Sequence, residues 1–320
     1  MSGATHISWA DKVWNPVLGC TKVSAGCDNC YAIREAWWHS FAPNAKVHAA
    51  YEGLTRQVNG KPAWTNLVRC LPERQTEPLH WRKPCTIFVN SMSDTFHSDV
   101  PDEFLDRMFA VMARAHWHRF MVLTKRPERM LTYLNDPARP RRVADAAEKI
   151  NGGPFEDFPP SGGWPLLNVM GKVSAEDQAR ADERIPPLLA TPLARRGVSL
   201  EPLLGPIKLR PEWLADHEWE HGVPGGINLV IAGGESGPRA RPSHPDWFCS
   251  LRDQCAAAGV EFHFKQWGEW APSLRMPGQE VAEAADQWPR DAQPMARIGK
   301  KRAGRLLDGV EHNGTGWTNE

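Results

Sequence analysis

Apolar, β-branched runs alternate with helix-period segments along most of this 320-residue chain, and that alternation limits the fold more than any other feature. After a first strand around Val13, Trp14 and Asn15, strand-like runs fall at residues 86–90, 119–124, 167–173, 197–200, 227–232 and 260–264. Between them, residues 101–116 set Phe104, Leu105, Met108, Phe109, Val111 and Met112 on one helical face. Residues 127–134 read as a short helix with Pro127 in its first turn. The next helix takes Ser174 as N-cap, carries Glu176 and Asp177 in its first turn, and should stop near Pro186 and Pro187. A last helix at 244–258 is closed by Gly259. Strands separated by helices imply βαβ units on a parallel sheet. Six or seven such units predict an α/β fold, a partial or complete parallel (β/α) barrel. Residues 41–83 read as a Trp-containing insertion and 139–164, rich in Pro and Gly, as a loop excursion. From Glu269 the tail reads as irregular until the basic residues Lys300, Lys301, Arg302 and Arg305. The expected organisation is a barrel over 1–267 and a C-terminal extension, 268–320, packed on it.

In a parallel barrel the site lies at the carboxyl ends of the strands, and this chain puts polar residues there repeatedly. The second strand runs into Asn90, Ser91, Ser93 and Asp94, and the third into Lys125 and Arg126. The fourth carries Lys172, Ser174 and Glu176, and the fifth ends at Glu201. The sixth opens into Gly233, Gly234, Glu235, Ser236 and Gly237, and the last into Lys265 and Gln266. Recurrence at six ends points to a shared polar cavity. Lys125, Glu201 and Lys265, charged residues directly after apolar strands, are the candidate catalytic groups. Asp94 and Ser174 serve equally well as helix caps. The glycine-rich loop can bring backbone N–H groups close to an anion or a ribose.

Ahead of these units, Cys20, Cys27 and Cys30 form a C-x6-C-x2-C cluster within the loop 19–32. Three thiolates close together hold a soft metal or an iron–sulfur cluster. Three protein ligands leave a coordination position open, as at sites where a metal does chemistry. A closed zinc site would need a fourth ligand, for which Cys70, Cys85 and His39 are candidates. A hard-metal nuclease built on Asp94, Glu201 and Glu235 is a further alternative, as is a barrel that binds a nucleotide or nucleic acid without redox chemistry. Cys249 and Cys255 lack cluster spacing. Seven cysteines, an odd number, argue for a reducing, cytoplasmic setting. The chain has 38 basic and 38 acidic residues, which argues against a strongly basic duplex binder and leaves a local contact through residues 300–305 open. No apolar run is long enough to span a bilayer, so no membrane partner is expected. The first residues lack signal-peptide character. Of fifteen tryptophans, Trp37, Trp38, Trp64 and Trp81 either cover the site or pack the core.

A three-cysteine loop at the start of a βα barrel resembles the radical S-adenosylmethionine superfamily. More closely, the chain resembles a phage and prophage family known by its three-cysteine motif. That resemblance rests on Trp14-Asn15-Pro16 with Gly19-Cys20, and on residues 27–32, 90–96, 123–126, 199–205, 232–237, 264–269 and 304–309. The second and third strand ends also resemble DNA photoproduct lyases, more weakly. The resemblance implies a [4Fe–4S] cluster on Cys20, Cys27 and Cys30, with S-adenosyl-L-methionine chelated at the fourth iron. Its reductive cleavage would yield a 5′-deoxyadenosyl radical. The same layout implies Asn90, Ser91, Ser93 and Asp94 near the methionine amino group and Lys172 and Ser174 near its carboxylate or the ribose. Gly233, Gly234 and Glu235 would lie near the adenine. Also implied are a nucleobase substrate in DNA or as a nucleotide, a reductase as electron donor, a bacterial cytoplasm as the setting, and a protein partner from an adjacent gene. The chain departs from the common C-x3-C-x2-C spacing. Asn29, where an aromatic residue is usual, precedes Cys30, and residues 90–94 replace a Gly-Gly-Glu segment.

Overall fold

A computed structural model describes residues 3–151, 164–215, 225–272 and 294–317. Eight strands form one sheet in chain order: β1 (Gly3–Ala4), β2 (Lys12–Trp14), β3 (Thr86–Val89), β4 (Arg119–Thr124), β5 (Val169–Ser174), β6 (Arg195–Leu200), β7 (Leu229–Gly233) and β8 (Glu261–Gln266). Every described ladder is parallel except β1–β2. No ladder joins β1 to β8 among the described residues, so the α/β sheet takes the partial form of the expected (β/α) barrel. β5 and β7 are buried along their whole length, the pattern of strands covered on both faces, which need continuous apolar sequence.

The chain divides into two compact units. The first comprises residues 1–23, 32–173 and 187–196. Here α1 (Tyr31–His39), α2 (Asp102–Arg114), α3 (Pro127–Leu134) and α4 (Arg139–Asn151) accompany the first five strands. α2 buries Leu105, Met108, Phe109, Val111 and Met112, as its periodicity requires. α4 corrects the expected loop at 139–151. Its proline, Pro140, falls in the first turn, where the missing N–H breaks no helical bond. Arg139, 1% exposed, fastens that turn through Asp106 at 2.5 Å, Asp102 at 2.8 Å and the Tyr133 carbonyl at 2.8 Å. The rest of that expected excursion, 152–163, lies outside the described residues. The insertion holds a helix, Ala45–Tyr51, whose N-cap Asn44 accepts from Lys46 and Val47 N–H. A hairpin follows, Thr55–Val58 against Lys61–Trp64. Asn59 and Gly60 supply its turn at φ +50° and +72°, the left-handed pair that such a tight turn demands. Trp64, in that hairpin, is buried, and Trp38, in α1, is 65% exposed.

The second unit comprises residues 24–31, 174–186 and 197–320. α5 (Gln178–Ala190) differs from expectation at both ends. Asp177 Oδ1 accepts the Arg180 N–H at 2.8 Å and caps the helix, while Ser174 closes β5. The helix also continues through Pro186 and Pro187, because Ile185 and Leu188 are fully buried there and hold the turn despite two absent N–H donors. α6 (Pro245–Ala258) ends at Gly259, φ +68°, as expected. The tail is less irregular than its sequence. Trp270–Pro272 pairs antiparallel with Met295–Arg297, and the last residues lie along β8 through Phe264 N–H to His312 O and Gly314 N–H to Phe262 O. Residues 273–293 of the tail lie outside the described set. Among the described residues no helix is long and apolar enough to cross a membrane.

Candidate functional site at the cysteine loop and strand ends

In the first unit, the segment entering Cys20 is pinned to the residues after β3. Asn15 Oδ1 accepts from Ser91 Oγ and from Met92 N–H, both at 3.2 Å. Ser93 Oγ donates to Val17 O at 2.9 Å, and Gly19 N–H to Met92 O at 3.2 Å. Asn90, held at φ +58°, accepts Val17 N–H on Oδ1 and donates to Thr95 Oγ1. Gly19 sits at φ +85°, and a Cβ there would lie 2.1 Å from the Leu67 carbonyl, so only glycine can deliver the chain to Cys20.

Asp94, 5% exposed, accepts four hydrogen bonds. Oδ1 takes Phe96 N–H at 3.0 Å and Thr124 Oγ1 at 2.7 Å. Oδ2 takes Lys125 N–H at 3.0 Å and Arg126 Nη1 at 2.8 Å. Arg126 Nη1 also lies 3.8 Å from Cys20 Sγ, and Nη2 donates to Thr21 O at 3.1 Å and Thr21 Oγ1 at 2.7 Å. Burial opposes the Arg126 charge, but Asp94 and then Cys20 outweigh it and hold the guanidinium above the usual arginine range. His97 Nε2 meets Thr21 Oγ1 at 2.9 Å, and burial, aided by Arg126, lowers its pKa. Lys125, a candidate catalytic group, contributes its backbone N–H to this arrangement. Lys172 is fully buried, with Nζ 3.4 Å from the Trp9 ring centroid and 3.6 Å from Met121 Sδ.

In the second unit, the loop carrying Cys27 and Cys30 is held by two carboxylates. Glu176 Oε1 accepts Gly26 N–H at 3.2 Å, and Oε2 meets Arg184 Nη1 at 3.2 Å, both side chains being 1% exposed. Arg184 also donates to the carbonyl of Ser174 at 2.8 Å. Glu235 accepts Asn29 Nδ2 at 3.0 Å and is clamped by Arg241 through N–H, Nε and Nη2. Arg241 Nη2 reaches Ala25 O at 2.9 Å. At the ends of β6 and β8, Lys265 Nζ pairs with Glu201 Oε1 at 3.1 Å, and Ser199 Oγ donates to Oε2. The two glycines between them are close-approach positions. A Cβ on Gly233 would lie 2.7 Å from Glu201 Oε1, and one on Gly234 would lie 1.9 Å from Trp267 O. Arg126 and Glu176 stand among the polar strand-end residues of the sequence without an assigned role, whereas Arg184 and Arg241 have no place in that pattern; Arg241, a charged residue after the glycine loop, carries a weak signal.

Cys20, Cys27 and Cys30 are part-exposed thiols that form no disulfide. Within their loop, Ser24 Oγ is buried with no hydrogen-bond partner. As a donor set, three thiols within one stretch of chain are of the kind that would hold an iron–sulfur cluster. Among the described residues, no three His, Cys, Asp or Glu side chains are gathered to hold a single metal ion. Of the candidate fourth zinc ligands, Cys70 lies in a short strand whose backbone pairs with Val17–Leu18, Cys85 Sγ lies 3.4 Å from His118 Nδ1, and the His39 ring packs 4.8 Å from that of Tyr51. Burial raises the pKa of both thiols. The three carboxylates of the nuclease alternative each face a cation: Asp94 faces Arg126, Glu201 faces Lys265 and Glu235 faces Arg241. Carboxylates committed in this way are poor ligands for a hard metal.

A family model described as "Protein of unknown function (DUF5131)" matches residues 4–316. The chain belongs to that family. No curated protein matches this DUF5131 member. Among solved structures it is similar to a spore photoproduct lyase complexed with dinucleoside spore photoproduct, at 9% identity and a TM-score of 0.40, covering 95% of this chain and 72% of that one. The fold assignment rests on the strand order above.

Proposed function

We propose that this DUF5131 protein is a radical S-adenosylmethionine enzyme that modifies or repairs a nucleobase in DNA or in a nucleotide. The observation that carries the reading is the three part-exposed thiols, in no disulfide, at Cys20, Cys27 and Cys30 on one short loop. These residues would hold a [4Fe–4S] cluster, which when bound supplies the electron that cleaves S-adenosylmethionine to a 5′-deoxyadenosyl radical. The chain's own groups do the rest. Asp94 fixes Arg126 beside Cys20, and Glu176 and Glu235 fix the backbone around Cys27 and Cys30. Glu201 and Lys265 present an acceptor and a donor together, a pairing suited to the edge of a nucleobase. A base in duplex would have to leave the stack to meet them.

The test is anaerobic reconstitution with iron and sulfide, followed by analysis of both elements and an assay for 5′-deoxyadenosine. Alanine at Cys20, Cys27 and Cys30 together should abolish iron uptake and product. Alanine at Cys70, Cys85 and Cys255 should leave the iron content unchanged; Cys255 is buried, its pKa pushed up to about 12, so it stays a thiol. Product formation that survives the first triple change sinks the proposal.

A further inference from the structure

We infer that Arg126 is a positioning residue that acts through Cys20, its fixed charge raising the reduction midpoint of the group the three cysteines hold. This rests on the reading above. Arg126 Nη1 sits between a carboxylate and a cysteine sulfur, 2.8 Å from Asp94 Oδ2 and 3.8 Å from Cys20 Sγ. Nη2 is anchored on Thr21, the residue after Cys20, through both its carbonyl and its hydroxyl. The side chains of Arg126 and Asp94 are 15% and 7% exposed, so water screens them little. Asp94 is itself immobilised by three further donors, namely Phe96 N–H, Thr124 Oγ1 and Lys125 N–H. The cation therefore cannot swing away from the sulfur.

Reduction adds one negative charge to a thiolate-held cluster, and hydrogen bonds and charges at the sulfurs tune its potential. A fixed cation 3.8 Å from the Cys20 sulfur stabilises the reduced form more than the oxidised one. The planar fork matters as well. One nitrogen serves Asp94 and Cys20 while the other serves Thr21, an arrangement that a lysine ammonium cannot reproduce.

The experiment compares wild type, Arg126→Gln, Arg126→Lys and Asp94→Asn. Each is reconstituted anaerobically, analysed for iron and sulfide, melted by circular dichroism, and titrated with dithionite under electron paramagnetic resonance. Arg126→Gln should keep its iron and shift the midpoint negative by about 59 mV, which is a tenfold change in the one-electron equilibrium. Arg126→Lys should fall between it and wild type. Asp94→Asn removes the opposing charge and should move the midpoint positive. Should Arg126→Gln lose iron while Arg126→Lys keeps it, the lysine variant carries the test: a midpoint below wild type supports the assignment, and an unchanged or higher one overturns it. An unchanged or more positive midpoint in iron-loaded Arg126→Gln overturns it. So does loss of iron from both arginine variants together with a fall in melting temperature, because Arg126 would then be a folding residue. Wild type that takes up no iron and sulfide removes the reading above, and this inference with it.

Discussion

Replacing Glu176 by Gln removes one charge and little volume. Oε1 can still accept the Gly26 N–H, now 3.2 Å away, but Arg184 Nη1 loses the anion 3.2 Å from it. At an effective dielectric of about 20, unit charges 3.2 Å apart attract by roughly 5 kcal/mol. Breaking a buried pair from one side costs about 3–5 kcal/mol, because the partner is left charged and dry. Both side chains are 1% exposed, so the full range applies. Arg184→Met should cost a similar amount by stranding Glu176. The double change Glu176→Leu with Arg184→Met strands neither charge. It leaves the Gly26 N–H unpaired, at about 1–3 kcal/mol, and should be more stable than either single variant. Urea unfolding reports the global effect, and hydrogen exchange at the Gly26 amide reports the loop. A loss of about 3 kcal/mol corresponds to roughly a 100-fold rise in the opening equilibrium. Additive losses in the double variant, or a loss under about 1 kcal/mol in Glu176→Gln, would show that the pair does not hold the cysteine loop.

Two further outcomes follow from single positions. Gly234→Ala sets a Cβ 1.9 Å from the Trp267 carbonyl, backbone against backbone, and should cost about 1–3 kcal/mol or more, read as a lower melting temperature and reduced soluble yield. His118 is fully buried, with Nε2 3.2 Å from Pro78 O and Nδ1 beside Cys85, and burial lowers its pKa below the usual 6.5. The unfolded chain therefore takes up the proton first. The stability that neutral His118 contributes is intact above about pH 6.5 and is lost as pH falls through the depressed folded value. Urea midpoints at pH 7.5 and 5.5 should drop with acidification, and His118→Gln should flatten part of that drop; equal slopes would count against the assignment.

The strands were legible because burial on both faces demands unbroken apolar sequence, and β4 begins and ends where its apolar run does. α4 was not, because Pro140 and two arginines read as a loop until Arg139 is seen bonded to Asp102 and Asp106, residues more than thirty positions earlier. The same limit applies at the site. Strand-end position points to Asp94, Arg126, Glu201, Glu235 and Lys265, but not to Arg241, which clamps Glu235, nor to the pairing of Arg126 with Asp94. A guanidinium has no sequence period. Its partner is set by the tertiary fold, as with Arg241 and Ala25, 216 residues apart.

Those long-range pairs bear on the six-residue gap between Cys20 and Cys27. A longer loop costs conformational entropy to order, and without compensation it would blur the spacing of its thiols. Here the added length supplies the residues that the fold grips. Ala25 O accepts Arg241 Nη2, Gly26 N–H reaches Glu176, and Thr21 takes both Nη2 bonds of Arg126. Small metal domains order their ligand loops through the metal itself. In this chain each end of the gap already has a charged side chain from the barrel strands' flanks fastened to it. The extended spacing is then a change in how the loop is anchored.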